Sequence, residues 1–480
     1  MKLQMVIKTL GALLVLFALT MVIPLAVSMF HREPDMPAFA ISIIVTLAVG
    51  ACLYFLARHA RGQLRSREAV LLVTLAWFAV TIFGSLPYYI YPEAFPTMVD
   101  AWFESASGFT TTGSTVITEI EALPHGTLLW RSLTQFIGGM GIIVLSVALL
   151  PLLGVGGMEL YRAEVPGPTS DKISSRVSET ARILWVVYVM FTIAQIVLLM
   201  WAGMSLFDAV NHTFTTMSTG GFSTKNASVA AYDSASIDAI ITLFMFVAGM
   251  NLHYRLFFRG DWSILKDREF QAYGLVAVSA TVLLTVYTFG TAYPSVVDAF
   301  RYSIFQVVSI SSTTGYGTAD YALWGPFAHS IIILLMIVGG SAGSTAGGVK
   351  CVRVVMLLKQ GYRELYLLIH RKAVYPVKLG GKTVPANVTS GVFAFFFLYF
   401  LTAVITVLFI TATGVDIVTA FSGTISALSN IGPGLGEVGP VLNYQHLPDL
   451  AKVLLSTCMI IGRLEIFTVL VLFTSEYWHA

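Results

Sequence analysis

Four stretches of the chain share one grammar: DAWFESASGFTTTGST (100–115), DAVNHTFTTMSTGGFST (208–224), DAFRYSIFQVVSISSTTGYGT (298–318) and DIVTAFSGTISALSNIGPGLG (416–436). Each opens on an aspartate, runs through about ten apolar or small residues, and ends in a polar turn that contains glycine. Each is too short and too mixed to cross a bilayer, which needs about 20 apolar residues. The matching glycines are taken as Gly113, Gly220, Gly315 and Gly432, at intervals of 107, 95 and 117 residues. In the second stretch Gly220 and Gly221 are adjacent, and either can be the equivalent.

Outward from these stretches the chain is strongly apolar. Of its 480 residues 56% are hydrophobic and 11% charged, with a mean hydropathy of +0.79. A soluble domain carries about 25% charged residues, so the composition is that of a polytopic membrane protein. Spans are read near 5–29, 38–57, 69–91, 128–150, 182–203, 237–258, 272–290, 328–349, 387–413 and 450–474. The first run is longer than the roughly 7–15 apolar residues of a signal peptide and is read as a retained helix. With both termini on the cytoplasmic side, 22 of the 28 Lys and Arg fall on that side; the others are Arg32, Arg131, Lys225, Arg301, Lys452 and Arg463. This is the bias the positive-inside rule describes.

Each aspartate, at 100, 208, 298 and 416, can cap the N-terminus of a short helix. A half-helix of roughly 10–12 residues extends about 15–18 Å, half the hydrocarbon thickness. Its partially negative C-terminal end then sits inside the membrane and favours a cation there. The turn that follows must leave without helical hydrogen bonds, which is tolerated only where backbone lines a wet cavity or is buried in protein. Four such turns about one axis would form rings of carbonyl oxygens able to replace the water around K+. The fold class is therefore an all-α membrane protein of four span–pore-helix–span repeats in pseudo-fourfold arrangement, preceded by two transmembrane helices. The expected units are 1–68 (N-terminal helix pair), 69–155 (repeat 1), 156–258 (linker and repeat 2), 259–350 (repeat 3 with a Gly-rich loop) and 351–480 (linker and repeat 4).

Composition and motif content also exclude several functions. A net charge of +2 with pI near 8.3 offers no basic surface for nucleic acid. Cys52, Cys351 and Cys458 are scattered without metal-ligand spacing. There is no Walker motif and no GxGxxG after a strand, so nucleotide binding by this chain has no fingerprint. No Ser/His or Asp/Asp pair lies on spans that would converge, which argues against an intramembrane enzyme.

The motifs TTTGST (110–115), FIGGMGIIVLSVALLPLLGVGGMELYRAEVPGP (136–168), GGFST (220–224), GGSAGSTAGGVK (339–350), SNIGPGLG (429–436) and GRLEIFTVLVLF (462–473) make the chain resemble the Trk/Ktr/HKT superfamily of potassium transporters, and within it the bacterial TrkH type. The two extra N-terminal spans match that type better than the shorter KtrB chains. The resemblance implies K+ uptake across the inner membrane through a pore made by one subunit, usually in a homodimer, with a cytoplasmic TrkA-like nucleotide-binding ring as partner. The filter would be the backbone carbonyls of Thr111, Thr112, Gly113, Ser218, Thr219, Gly220, Thr313, Thr314, Gly315, Asn430, Ile431 and Gly432. In plant relatives a Ser at the first filter glycine goes with Na+ transport, whereas Gly stands at all four positions here. Only TTGYG (313–317) approaches the TVGYG of tetrameric potassium channels. K+ is the bound and transported ion, and no cofactor is implied.

Two further features frame the mechanism. Gly339, Gly340, Gly343, Gly347 and Gly348, followed by Lys350, cost a helix roughly 4–5 kcal/mol relative to alanine. They read either as close helix packing through overlapping GxxxG motifs or, as the resemblance implies, as an unwound loop that gates the pore beneath the filter. Arg463 in the last span needs a wet cavity or a carboxylate partner, and Glu465 is at the wrong helical spacing. His212, Arg301 and Glu104 on the half-helices read as polar contacts behind the filter. The competing function is a K+ symporter coupled to H+ or Na+ by alternating access, a class that uses inverted repeats where these four repeats run in one orientation.

Overall fold

The computed structural model of the protein describes residues 3–60, 64–91, 93, 95–148, 177–250, 266–380 and 382–479. The basic segments at 151–176 and 251–265 lie outside the described residues, as do the unit boundaries expected near 155 and 258.

Two N-terminal elements come first: α1 (Leu3–Thr20) continuing into α2 (Val22–His31), then α3 (Met36–Leu56). α1 and α3 meet where Gly11 lies against the Gly50 carbonyl, an approach only small residues permit. Repeat 1 consists of α4 (Ser66–Gly84) with α5 (Leu86–Ile90), the half-helix α6 (Met98–Phe109) and α7 (His125–Ala148). Repeat 2 is α8 (Val177–Trp201), α9 (Leu206–Met217) and α10 (Ala235–Ala248). Repeat 3 is α11 (Arg268–Thr288), α12 (Val296–Ser311) and α13 (Pro326–Val338). α14 (Cys351–Ile369) and a small antiparallel hairpin of β1 (Lys378–Leu379) and β2 (Lys382–Thr383) lead to repeat 4, formed by α15 (Ala386–Thr411), α16 (Ile417–Ser429) and α17 (Asp449–Arg463).

The distribution of side chains is inside-out relative to a soluble protein. Leu16, Trp201, Val286 and Phe397 are exposed, while Ser105, Thr112, Thr215, Ser309, Thr314 and Ser426 on or beside the half-helices are buried. Lipid tails are as apolar as leucine, so the outer surface gains nothing from polar groups, and the bundle is held by packing and internal hydrogen bonds.

Three second helices are shorter than their apolar runs suggest. The spans expected at 237–258, 328–349 and 450–474 give helices that stop at Ala248, Val338 and Arg463. After Arg463 the chain bends by 106° before Phe467. Glu465 and Ile466 take positive φ in that bend, which a continuous helix cannot accommodate. Arg463 is therefore the last residue of its helix rather than the middle of a straight span.

Candidate functional site

The half-helices are capped as their sequences require, with one correction. Asp416 is itself an N-cap, accepting from the amides of Val418 and Thr419 at 2.8 and 3.1 Å. In the other repeats the cap is Thr97, Ser205 or Ser295, and Asp100, Asp208 and Asp298 stand three residues inside the helix. There Asp100 and Asp208 bond back to the cap hydroxyls at 2.8 and 3.0 Å. The S/T-x-x-D spacing of a capping box was present in all three sequences.

At their other ends the half-helices terminate identically. The amides of Thr112, Gly220, Thr314 and Ile431 each donate to the carbonyl five residues back, on Ser107, Thr215, Ser309 and Ser426. Those of Thr111, Thr219, Thr313 and Asn430 donate three residues back. This is the Schellman pattern, which needs a left-handed residue at the second group of positions. Their φ values are 54°, 56°, 60° and 55°. A β-branched threonine there costs about 1–2 kcal/mol, so the three threonine turns carry backbone strain that the surrounding packing must hold.

Next but one in each turn is a glycine with positive φ: Gly113 at 91°, Gly221 at 77°, Gly315 at 81° and Gly432 at 108°. The second turn is thus Thr219–Gly220–Gly221. Gly221, not Gly220, is the equivalent of Gly113, and Ser218 corresponds to Thr110 in the last helical position rather than to Thr111. A Cβ at each of these glycines would strike one carbonyl oxygen: Gly220 from Gly113, Thr314 from Gly221, Ile431 from Gly315, and Thr112 from Gly432, the last at 2.8 Å. The contacts run from turn 1 to 2, 2 to 3, 3 to 4 and back to 1. The four turns close a ring, and side chains are excluded where they meet.

The oxygens of Thr112, Thr314 and Ile431 accept no hydrogen bond among the described residues, and the Gly220 oxygen accepts one, from Gln135 Nε2 at 2.7 Å. The four half-helix C-termini converge beneath these turns, adding partial negative charge. The ring is thus lined by backbone oxygens and faced by helix C-termini, a partially negative environment.

Buried ion pairs that the spacing of the sequence did not announce brace it. Glu104 on α6 pairs with Arg131 on α7 at 2.8 Å, both side chains at most 1% exposed. Glu104 also accepts from the Val116 amide, and Arg131 donates to the Ser223 carbonyl at 3.0 Å, so the pair holds the exits of turns 1 and 2. Lys452 of α17 pairs with Asp100 at 2.6 Å, tying repeat 4 to repeat 1. His212 Nε2 lies 3.0 Å from Ser223 Oγ, and Tyr316 donates to the His212 carbonyl. Arg301 instead pairs with Asp238 at 2.7 Å, in a less buried position. For Glu104 and Arg131 the remaining signal in the sequence was the presence of opposite charges within one otherwise apolar repeat, whereas the Lys452–Asp100 and Arg301–Asp238 pairs join different repeats.

Beneath the ring lies the glycine-rich segment. α13 ends at Val338, and residues 339–350 run without helix or strand to α14, with positive φ at Gly339, Gly343, Gly348 and Lys350. The Gly347 amide donates to Thr313 Oγ1 at 2.7 Å, and Thr345 Oγ1 donates to the Met217 carbonyl at 3.2 Å. A side chain on Gly347 would strike the Ser429 carbonyl, and one on Gly340 would meet the Gly249 carbonyl at 2.9 Å. The segment thus touches the C-terminal ends of three half-helices. Lys350 Nζ folds back on the Ala346 carbonyl. Arg463 donates to the Thr345 carbonyl at 2.7 Å and to the Gly138 carbonyl of α7 at 3.3 Å. No carboxylate pairs with Arg463 among the described residues. Glu465 is engaged by Arg353 at 2.5 Å.

Fold and site together define a multi-pass membrane transport protein built on four pore-lining repeats. The family profile described as "TrkH: Cation transport protein" matches residues 35–479, and the chain belongs to that family. It is 42% identical over 484 residues to the Trk system potassium uptake proteins TrkH of Salmonella typhimurium strain LT2 and Escherichia coli K12, covering 100% of both chains in each case. It is 35% identical to the Trk system potassium uptake protein TrkG of Escherichia coli K12, over 98% of this chain and 97% of that one. Among solved structures it superposes on the potassium transporter TrkH from Vibrio parahaemolyticus with a TM-score of 0.92, at 39% identity and full coverage of both chains. These relatives are named as transporters, not enzymes.

Proposed function

We propose that this protein takes up K+ across the bacterial inner membrane, channel-like, through the ring formed by the turns at Thr111–Gly113, Thr219–Gly221, Thr313–Gly315 and Asn430–Gly432. The observation that carries the reading is the closed cycle in which each turn's glycine faces the next turn's carbonyl. Four half-helix dipoles and the turn carbonyls, those of Thr112, Thr314 and Ile431 without a protein donor among the described residues, replace hydration water, while the glycines keep side chains out of the path. Energy comes from the ion gradient and membrane potential, about 2.3 kcal/mol per charge per 100 mV.

The segment 339–350 acts as the gate. It rests under the ring on hydrogen bonds to Thr313 and Met217, and its glycines make a second conformation accessible at a cost of a few kcal/mol. Arg463 holds it shut through Thr345 and sets a positive charge against a passing cation. A cytoplasmic nucleotide-binding ring of the TrkA type, acting on a homodimer whose termini are cytoplasmic, would release it.

The test is K+ flux into liposomes holding the purified protein, with and without an imposed proton or Na+ gradient. Flux that follows the K+ electrochemical gradient alone supports the channel reading. Accumulation of K+ driven by either other gradient contradicts it and establishes coupled symport.

A further inference from the structure

The four turns share a backbone but differ in what their carbonyls already hold. At the glycine level, the oxygens of Gly113, Gly221 and Gly315 accept no hydrogen bond among the described residues. The Gly432 oxygen accepts two, from Ser114 Oγ at 2.9 Å and from Tyr444 Oη at 2.7 Å. A carbonyl oxygen has two lone pairs, and both are engaged.

The cause is local to the seam between repeats 4 and 1. Ser114 follows the glycine of turn 1; its counterparts are Phe222, Tyr316 and Pro433. Phe222 and Pro433 carry no side-chain donor, and the Tyr316 hydroxyl is directed to Thr215 and the His212 carbonyl. Tyr444 belongs to the segment that leaves turn 4 and returns over turn 1. Its amide donates to the Thr115 carbonyl at 2.8 Å, and its buried ring packs on Phe103 with centroids 5.3 Å apart. The hydroxyl is therefore fixed in place rather than free to turn away.

We infer that Tyr444 and Ser114 are specificity-determining residues, which withdraw the Gly432 oxygen and leave the outer level of the filter with three carbonyl ligands instead of four. The inference rests on the filter reading above. A level completed by water discriminates K+ from Na+ less than one completed by a fixed carbonyl, because water adjusts to either ion.

The test reads half-saturating K+ and Na+ concentrations from cation-dependent thermal stabilisation of the full-length purified protein. The double variant Tyr444→Phe/Ser114→Ala frees both lone pairs and is expected to bind K+ roughly threefold to tenfold more tightly, with a smaller change for Na+. Tyr444→Phe alone keeps the ring on Phe103 and is expected to give part of that gain; it is read by itself should the double variant not fold. An unchanged K+/Na+ ratio in a folded variant overturns the inference while Gly315→Ala, which abolishes K+ stabilisation on the filter reading, leaves that reading standing. Should Gly315→Ala also retain K+ stabilisation, the filter reading itself is wrong.

Discussion

The turns that end the half-helices and the glycine-containing ends of the second helices pack close together, Gly138 against Phe109, Gly249 against Ser312 and Gly462 against Leu428, yet they obey opposite rules. The turns are replicas, with the same two backbone hydrogen bonds, the same left-handed residue and the same glycine in all four repeats. The second helices start alike and then diverge. Each reaches a glycine after about four turns of helix: Gly138, Gly249, Gly339 and Gly462. α7 runs on through its glycine to Ala148, α10 and α13 stop just before theirs, and α17 bends by 106° one residue beyond. In the proposed filter an ion on the axis takes one carbonyl from each turn at the level of Thr112, Gly220, Thr314 and Ile431, so coordination there favours symmetry. Closing a path needs one obstruction, so a gate does not. On the proposed function, the symmetric layer selects the ion and the asymmetric layer beneath it controls its passage.

The largest expected effects break the symmetric layer. Gly221→Ser sets a side chain against the Thr314 carbonyl at positive φ and should lower K+ uptake by more than about a hundredfold. Gly220→Ala has its nearest contact with the Gln135 amide group, a side chain rather than a ring carbonyl, and should retain measurable uptake. Equal loss in both variants would restore Gly220 as the ring glycine. Gly113→Ser should in addition raise Na+ permeation relative to K+ in flux assays.

Next in size are the braces behind that layer. Glu104→Ala leaves Arg131 charged and buried without its carboxylate and should destabilise the protein by about 3–5 kcal/mol, read as a fall in the unfolding midpoint. Glu104→Gln with Arg131→Met removes both charges and should recover much of that loss. If the double variant is no better than the single, the pair contributes through packing rather than charge.

Effects on the asymmetric layer should appear in flux rather than in stability. Removing residues 343–347, or replacing Arg463 by alanine, should raise K+ flux several-fold without the cytoplasmic partner, since each deletes part of the contact between Thr345 and Arg463. Arg463→Lys should keep most of the barrier. Unaltered flux with lowered thermal stability in Arg463→Ala would make the residue a structural clamp.

The smallest effect concerns a cap. Hydrogen bonds from Thr419 and from the Val418 amide hold the Asp416 carboxyl below the usual carboxylate range. A depressed value stabilises the folded state above the unfolded-state pKa, and that contribution is lost as pH falls through the lower, folded-state value. Asp416→Ala should therefore cost about 1 kcal/mol at neutral pH, with the difference from the parent shrinking in acid.

The half-helix and turn grammar was legible because its apolar run and glycine are short-range signals; the cap was read correctly only at Asp416, since Thr97, Ser205 and Ser295 take that place in the other repeats. The choice between Gly220 and Gly221 was not, since composition is the same for either and only the helix-terminating hydrogen bonds set the register. Hydropathy also overran α10, α13 and α17. Glycine and small apolar residues score as span whether they continue a helix or line a cavity, and beyond Val338 the chain is held by contacts of Gly347 with Thr313 of its own repeat and Ser429 of repeat 4. The partners of Arg463 were invisible for a related reason. They are backbone carbonyls more than a hundred residues away, which no side-chain pattern announces.

The most direct test of the account is to locate a heavy K+ analogue such as Rb+ in an experimentally determined structure of the full chain. In the proposed filter Rb+ occupies a single-axis position encircled by the carbonyls of Thr112, Gly220, Thr314 and Ile431, lost in Gly315→Ala. Rb+ bound away from that axis, or an axis position unaffected by Gly315→Ala, would contradict it.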